Sequence, residues 1–207
     1  MNQKEHIIDQ AMHMFVTQGI KTVRMDDIAQ QLSVSKRTLY ELFGDKEKLL
    51  FLTMNRYFEA YEIQQTELVK GAKNTIEALF MVLRDVMNNS EQMNRTVTTL
   101  RKFYPTLYEK LIVEGDEKRR RNIKENIEQG IKEGLFIRDI NLDLAITTLY
   151  FTVSALIIRK ELILPAKITE REAFMQLVSS FFRGIATTKG LEMIDLYLTR
   201  KELENKK

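Results

Sequence analysis

An all-α fold is predicted by three features of this sequence. Leu, Ile, Met, Glu, Lys and Ala, which favour helix, are abundant; only Pro105, Pro165 and eight glycines punctuate 207 residues; and no alternating apolar run is long enough to argue for a strand.

The first helix is expected from Glu5 to Gly19. Met25 to Phe43 then reads MDDIAQQLSVSKRTLYELF, two short helical patterns broken by the turn Ser33-Val34-Ser35. Ile28, Leu32, Val34, Leu39 and Phe43 can share one core if one helix ends near Leu32 and the next begins near Ser35. Ala29 suits the crossing point, where axes about 8–10 Å apart leave little room. Ser35 is placed to accept a hydrogen bond from an orphan N–H of the second helix, whose outward face is Lys36, Arg37, Tyr40 and Glu41. This is the spacing of a helix-turn-helix.

A long helix is expected from about Lys46 to Val69, a rod able to pack on the head at one end and the body at the other. Asn74-Thr75-Ile76-Glu77 has capping-box chemistry and opens a helix to about Met87, and Glu91 to Tyr104 supplies another. Pro105 breaks the chain, which restarts as Thr106 to Val113 and then Asp116 to about Glu133, with Gly134 as the stop. Lys118-Arg119-Arg120-Arg121 is interleaved with acids three or four residues away and reads as a solvated helix face. Asn141 begins an apolar helix from Leu142 to Leu162, Thr169 caps one running to Gly184 or Ile185, and Gly190 to Glu202 closes the chain.

Charge and composition exclude more than they identify. The net charge is +3, and the first fifty residues hold seven Lys or Arg against seven acids, so bulk charge does not argue for nucleic acid; placement does. Arg24, Lys36, Arg37 and Lys46 fall at segment starts, where side-chain cations and helix N-terminal N–H groups can meet phosphate. No cysteine is present for disulfide or thiolate chemistry, and MNQKEHIID carries charge where a signal peptide needs an apolar run, so a cytoplasmic protein is expected. The apolar run 142–158 is interrupted by Asp143 and several hydroxyl residues and falls short of the roughly 20 residues a membrane span needs. An enzyme is not expected: there is no phosphate-cradling glycine loop. His6 and His13 lie about 10.5 Å apart along one helix, too far to share a metal, and neither a metal nor a cofactor is expected.

Ser35-Lys36-Arg37-Thr38-Leu39-Tyr40, followed by Phe43-Gly44-Asp45-Lys46-Glu47-Lys48-Leu49-Leu50 and preceded by Asp26-Asp27-Ile28-Ala29, resembles the TetR family of bacterial transcriptional regulators over roughly the first quarter of the chain. The resemblance implies a three-helix DNA-binding domain (1–47) and a helical effector-binding and dimerisation domain (48–207), acting as a homodimeric repressor released from a (pseudo)palindromic operator by a small molecule. It assigns Thr38 and Tyr40 to phosphate or base contact and Lys46 to phosphate. Lys36 and Arg37 can reach guanine O6 and N7 in the major groove, Arg24 stands where relatives carry a helix-capping Ser or Thr, and Ser35 opens the recognition helix. Ser33 replaces a turn glycine, and Leu42 a polar residue.

In the body, Met81, Met87, Met93, Phe103, Tyr104, Tyr108, Tyr150 and Phe151 could line an effector cavity or simply be core. No charge stands out as a counter-ion. Leu149, Val153, Leu156, Phe174, Leu177 and Phe181 belong to a greasy surplus that could pair across a twofold axis or be buried within one subunit. Twofold symmetry would set half-sites about 34–36 Å apart or a multiple of that. The competing reading is a helical ligand- or protein-binding module that has lost operator recognition.

Overall fold

A computed structural model describes residues 2–158 and 163–204. They form α1 (Gln3–Gln18), α2 (Met25–Gln31), α3 (Lys36–Phe43), α4 (Lys46–Val69), α5 (Thr75–Asn88), α6 (Ser90–Phe103), α7 (Pro105–Tyr108), α8 (Glu114–Lys132), α9 (Leu142–Val153), α10 (Glu170–Ile185) and α11 (Thr188–Glu204). Among the described residues there is no strand, only an isolated bridge between Phe136 and Ala186. No helix among them is long and apolar enough to cross a membrane.

The chain packs as two compact units, residues 1–66 with 91–116, and residues 67–90 with 117–207. Residues 48–66 and 91–116 group with the N-terminal helices in the first of these units.

In the first unit α1 buries Ile7, Ile8, Ala11, Met14 and Phe15 and stops at Gly19, whose φ of 97° suits a residue without a Cβ. α4 contributes Leu49, Leu50 and Met54, all fully buried. The Arg56 guanidinium ties α4 to α1 by pairing with Glu5 and, at 3.8 Å, with Asp9. Sequence reading separates Thr106–Val113 from the helix that follows. Instead, α7 starts with Pro105 at its first position, where the missing N–H costs nothing, and runs through a π-helical turn, Glu109–Val113, directly into α8.

The second unit is organised by aromatic rings. Phe80 of α5 packs on Phe182 of α10 (centroids 5.7 Å apart) and on Tyr197 of α11 (5.1 Å), and Phe136 stacks on Phe182 at 5.8 Å. Local capping sets the helix starts. The Asn74 side chain accepts from Glu77 N–H at 2.9 Å, and Thr169 and Glu172 cap reciprocally, Glu172 accepting from the Thr169 N–H at 2.9 Å. Glu133 reaches across to the start of α5, accepting from the Thr75 N–H (3.0 Å) and hydroxyl (2.8 Å). Burial pushes its carboxyl up, but the Thr75 bonds outweigh it and hold it below the ordinary range.

The helix expected over 142–162 runs as α9 and then as a π-helical turn, Ser154–Ile158; its expected last residues, 159–162, lie outside the described residues.

Candidate nucleic-acid interface

The helix-turn-helix is built by local rules. Ser35 Oγ accepts from the Thr38 N–H at 3.0 Å and lies 2.7 Å from Thr38 Oγ1, so this hydroxyl is first of all the cap of α3. Leu39 and Phe43 are buried beneath the helix, with Ile28 and Ala29 of α2. Lys36, Arg37, Tyr40 and Glu41 are consequently all exposed, as expected, Tyr40 to 48 %. Thr38 is half-buried, and Val34, expected to be the buried residue of the turn, is half-buried too. Ser33 has a φ of 53°, the left-handed conformation that glycine would take more cheaply, at a cost on the order of 1 kcal/mol for a side chain.

The cations of this face are held by weak partners. Lys36 Nζ lies 2.6 Å from Asp26 and Arg37 Nε 2.7 Å from Glu41, all four side chains being mostly solvated. Exposed pairs of this kind contribute about 0–1 kcal/mol, so exchanging them for phosphate or a base edge costs little. Arg24 is exposed and precedes α2 without a side-chain cap of its own; the Asp27 carboxylate, at the third position of α2, accepts from the Arg24 N–H at 2.8 Å.

Lys46 stands apart. It is half-buried, its Nζ donates to the Ile20 carbonyl at 2.6 Å and sits 5.7 Å from the centroid of the Phe15 ring. Burial holds its ammonium below the usual lysine range, Asp27 opposing the shift and Arg24 adding to it.

Leu42, at a position expected to be polar, is half-buried against a cleft of about 550 Å³ whose apolar wall includes Phe43, Phe51, Leu52 and Leu107. The residues grouped as a possible effector lining divide between the units. Phe103, Tyr104 and Tyr108 are in the first, and none of them lines that cleft. Phe103 is 44 % exposed and carries Lys21 Nζ 4.7 Å from its ring centroid. Burial, with Glu47 nearby, raises the Tyr104 hydroxyl above the usual tyrosine range. Met81, Met87, Tyr150 and Phe151 are in the second unit. Met87 packs on its core, the Tyr150 ring faces the Arg120 guanidinium at 4.5 Å, and Phe151 is 57 % exposed.

Of the residues considered for a twofold interface, Leu149, Leu156 and Phe174 are covered by their own unit, so burial within the subunit takes them out of any partner face. Leu177 is exposed, and Val153 and Phe181 are half-buried. Leu144 and Phe151, two turns apart on α9 and both strongly exposed, are the apolar residues that sequence reading left off this face. Asp85 was also missed. Its Oδ1 accepts from Asn89 Nδ2 at 3.0 Å, while Oδ2 is buried without a partner.

A three-helix head with a capped recognition helix and a second, wholly helical unit defines a helix-turn-helix protein. Residues 7–52 match the tetR family of bacterial regulatory proteins. The chain is 32 % identical over 77 residues to the HTH-type transcriptional regulator HbdR of Aromatoleum sp. (strain CIB). That alignment takes in 37 % of this chain and spans about a third of the relative's length, 34 %. The fold extends further. A TetR-family regulator from Cytophaga hutchinsonii superposes with a TM-score of 0.71 at 18 % identity, over 90 % of this chain and 96 % of that one. A transcriptional regulator from Saccharomonospora viridis in complex with choline gives 0.69 at 20 % identity, over 89 % and 97 %.

Proposed function

We propose that this chain is a ligand-responsive transcriptional regulator, a homodimer that represses by binding a (pseudo)palindromic operator and is released by a small molecule. Residues 1–47 carry recognition and 48–207 effector binding and dimerisation. The observation that carries the reading is the two-sided α3: Leu39 and Phe43 fix it to the head while Lys36, Arg37 and Tyr40 face solvent. Arg24 and the Ser35–Thr38 start of α3 flank this face and suit phosphate.

Dimerisation is assigned to the exposed apolar surface of α9 and α10, with Leu144, Phe151 and Leu177 at its centre and Val153 and Phe181 beside them. The effector site is assigned to the second unit, where the Asp85 oxygen lacks a donor; buried polar groups are normally paired, and a donor-bearing or cationic ligand supplies what is missing. The choline held by the S. viridis protein is a ligand of that chemistry.

Removal of this carboxylate has an expected result. Asp85→Leu should raise the Tm of the ligand-free protein, by an amount equivalent to about 1 kcal/mol, because Asn89 Nδ2 keeps its backbone acceptor, the Asp85 carbonyl at 2.9 Å. Thermal unfolding in ligand-free buffer checks it, and a lowered Tm contradicts the assignment.

Selection of bound fragments from a random DNA pool tests the function. A twofold-symmetric consensus is expected, with affinity falling steeply as salt rises. Arg37→Ala should relax preference at one base position by about 1–3 kcal/mol. No enrichment at low ionic strength contradicts the reading and leaves the binding-module alternative.

A further inference from the structure

We infer that Glu41 is a positioning residue for base readout: its carboxylate holds the Arg37 guanidinium by the Nε–H alone and leaves the Nη edge free to take guanine O6 and N7. The inference rests on the proposed operator binding and adds to it the residue that orients Arg37.

A guanidinium carries five N–H donors in one plane, one on Nε and four on the Nη atoms. Arg37 Nε lies 2.7 Å from Glu41 Oε1, one turn further along α3, and the Nη atoms make no hydrogen bond to any described residue. Lys36 differs: its bond to Asp26, at 2.6 Å, engages the one nitrogen that would have to meet a base or a phosphate. The Arg37 side chain is 87 % exposed, so little packing confines it, and a bond at Nε restricts it before DNA arrives, which lowers the ordering cost of binding. The pair is weak enough to be given up, but Arg37 need not give it up to read a base. A released Glu41 would stand unpaired against the phosphates. Helix stability offers no reason for the pair. α3 spans eight residues, with Arg37 in its first turn and Glu41 in its last, so each charge sits at the dipole end of its own sign. The first turn holds no acid and the last no base. An acid four residues before a base is the better order on a helix, and here the order is reversed. Local rules broken at an exposed pair mark a functional position rather than a stabilising one.

A double-mutant cycle tests the coupling. The native protein, Glu41→Ala, Glu41→Gln, Arg37→Ala and the variant carrying both alanines are titrated with the selected duplex and with duplexes bearing each other base at the position that Arg37→Ala relaxes. Native helix content is expected throughout, because both side chains lie on the surface. Glu41→Ala should lower the preference for guanine at that position by roughly three- to tenfold without weakening binding to a scrambled duplex, and in the Arg37→Ala background it should change the preference by less than about twofold. Glu41→Gln, which keeps an acceptor for the Nε–H, should recover part of the preference. A loss of equal size in both backgrounds overturns the inference, because Glu41 then acts without Arg37. A loss at a different base position overturns it too, as does native preference in either single alanine variant. If the native protein selects no consensus, the proposed function and this inference fail together; a consensus that Glu41→Ala leaves intact overturns this inference alone.

Discussion

Replacing Gly190 by alanine should destabilise the second unit by roughly 2–4 kcal/mol, the sum of an overpacking cost and a lost backbone hydrogen bond. A Cβ at this position would stand 2.0 Å from the Leu135 carbonyl oxygen and 3.0 Å from its carbon. Those are backbone atoms, and they are committed: the Leu135 oxygen accepts from the Thr187 N–H at 3.0 Å, while the Gly190 N–H donates to the Thr187 hydroxyl at 3.1 Å. Moving Leu135 aside disturbs the adjoining Phe136, which is 1 % exposed and stacked on Phe182. Moving α11 instead shifts Ile194 and Tyr197 out of the same core. Gly184 is the matched control, since a Cβ there meets nothing within 4 Å and it lies inside α10. Gly184→Ala should be neutral or stabilising by up to about 1 kcal/mol, as expected for helix propensity alone. Urea denaturation of the two variants checks both, and equal midpoints contradict the close approach.

Charging the exposed face of α9 and α10 should have the largest effect on function. Phe151→Glu combined with Leu177→Glu places two carboxylates where the proposed dimer buries apolar side chains, while disturbing little of the single chain, because these side chains are 57 and 39 % exposed. Like charges would face each other across the twofold and each would lose its water. The variant should sediment as a monomer with native helix content. Its operator affinity should fall on the order of 100-fold, since two linked heads gain their second contact from effective concentration alone. A variant that remains dimeric places the interface elsewhere. Leu149→Glu makes the contrast: Leu149 is 4 % exposed within its own unit, so this change should unfold the protein rather than separate two copies.

The head was legible because its rules are local. Ser35 as cap, Leu39 and Phe43 below and Lys36, Arg37 and Tyr40 above follow from helical period and capping chemistry, and the Asn74 and Thr169 caps follow in the same way. What the sequence hid is tertiary. Periodicity marks Leu149, Leu156 and Phe174 as apolar but carries no sign of whether their own subunit or a partner covers them. Lys46 reads as a cation at a helix start, and only the folded chain puts the Ile20 carbonyl against it. Thr106 with Glu109 looks like a fresh helix start, yet the π-helical turn at Glu109–Val113 lets the backbone pass straight into α8. In the basic run 118–121, read as a solvated face, Arg120 is half-buried and turns its guanidinium to the Tyr150 ring and, at 3.3 Å, the Thr147 hydroxyl. Asp85 gave no signal at all, because an orphaned oxygen is a property of its surroundings.

In the proposed regulator the α3 face reads duplex DNA from a symmetric pair of heads. Titration of the native protein with its selected duplex and with a scrambled duplex, from low to physiological salt, tests it most directly. Affinity for the selected site should be about 10³-fold or more above the scrambled one, falling linearly in log–log form as salt rises. Equal affinity for the two duplexes at every salt concentration would contradict it.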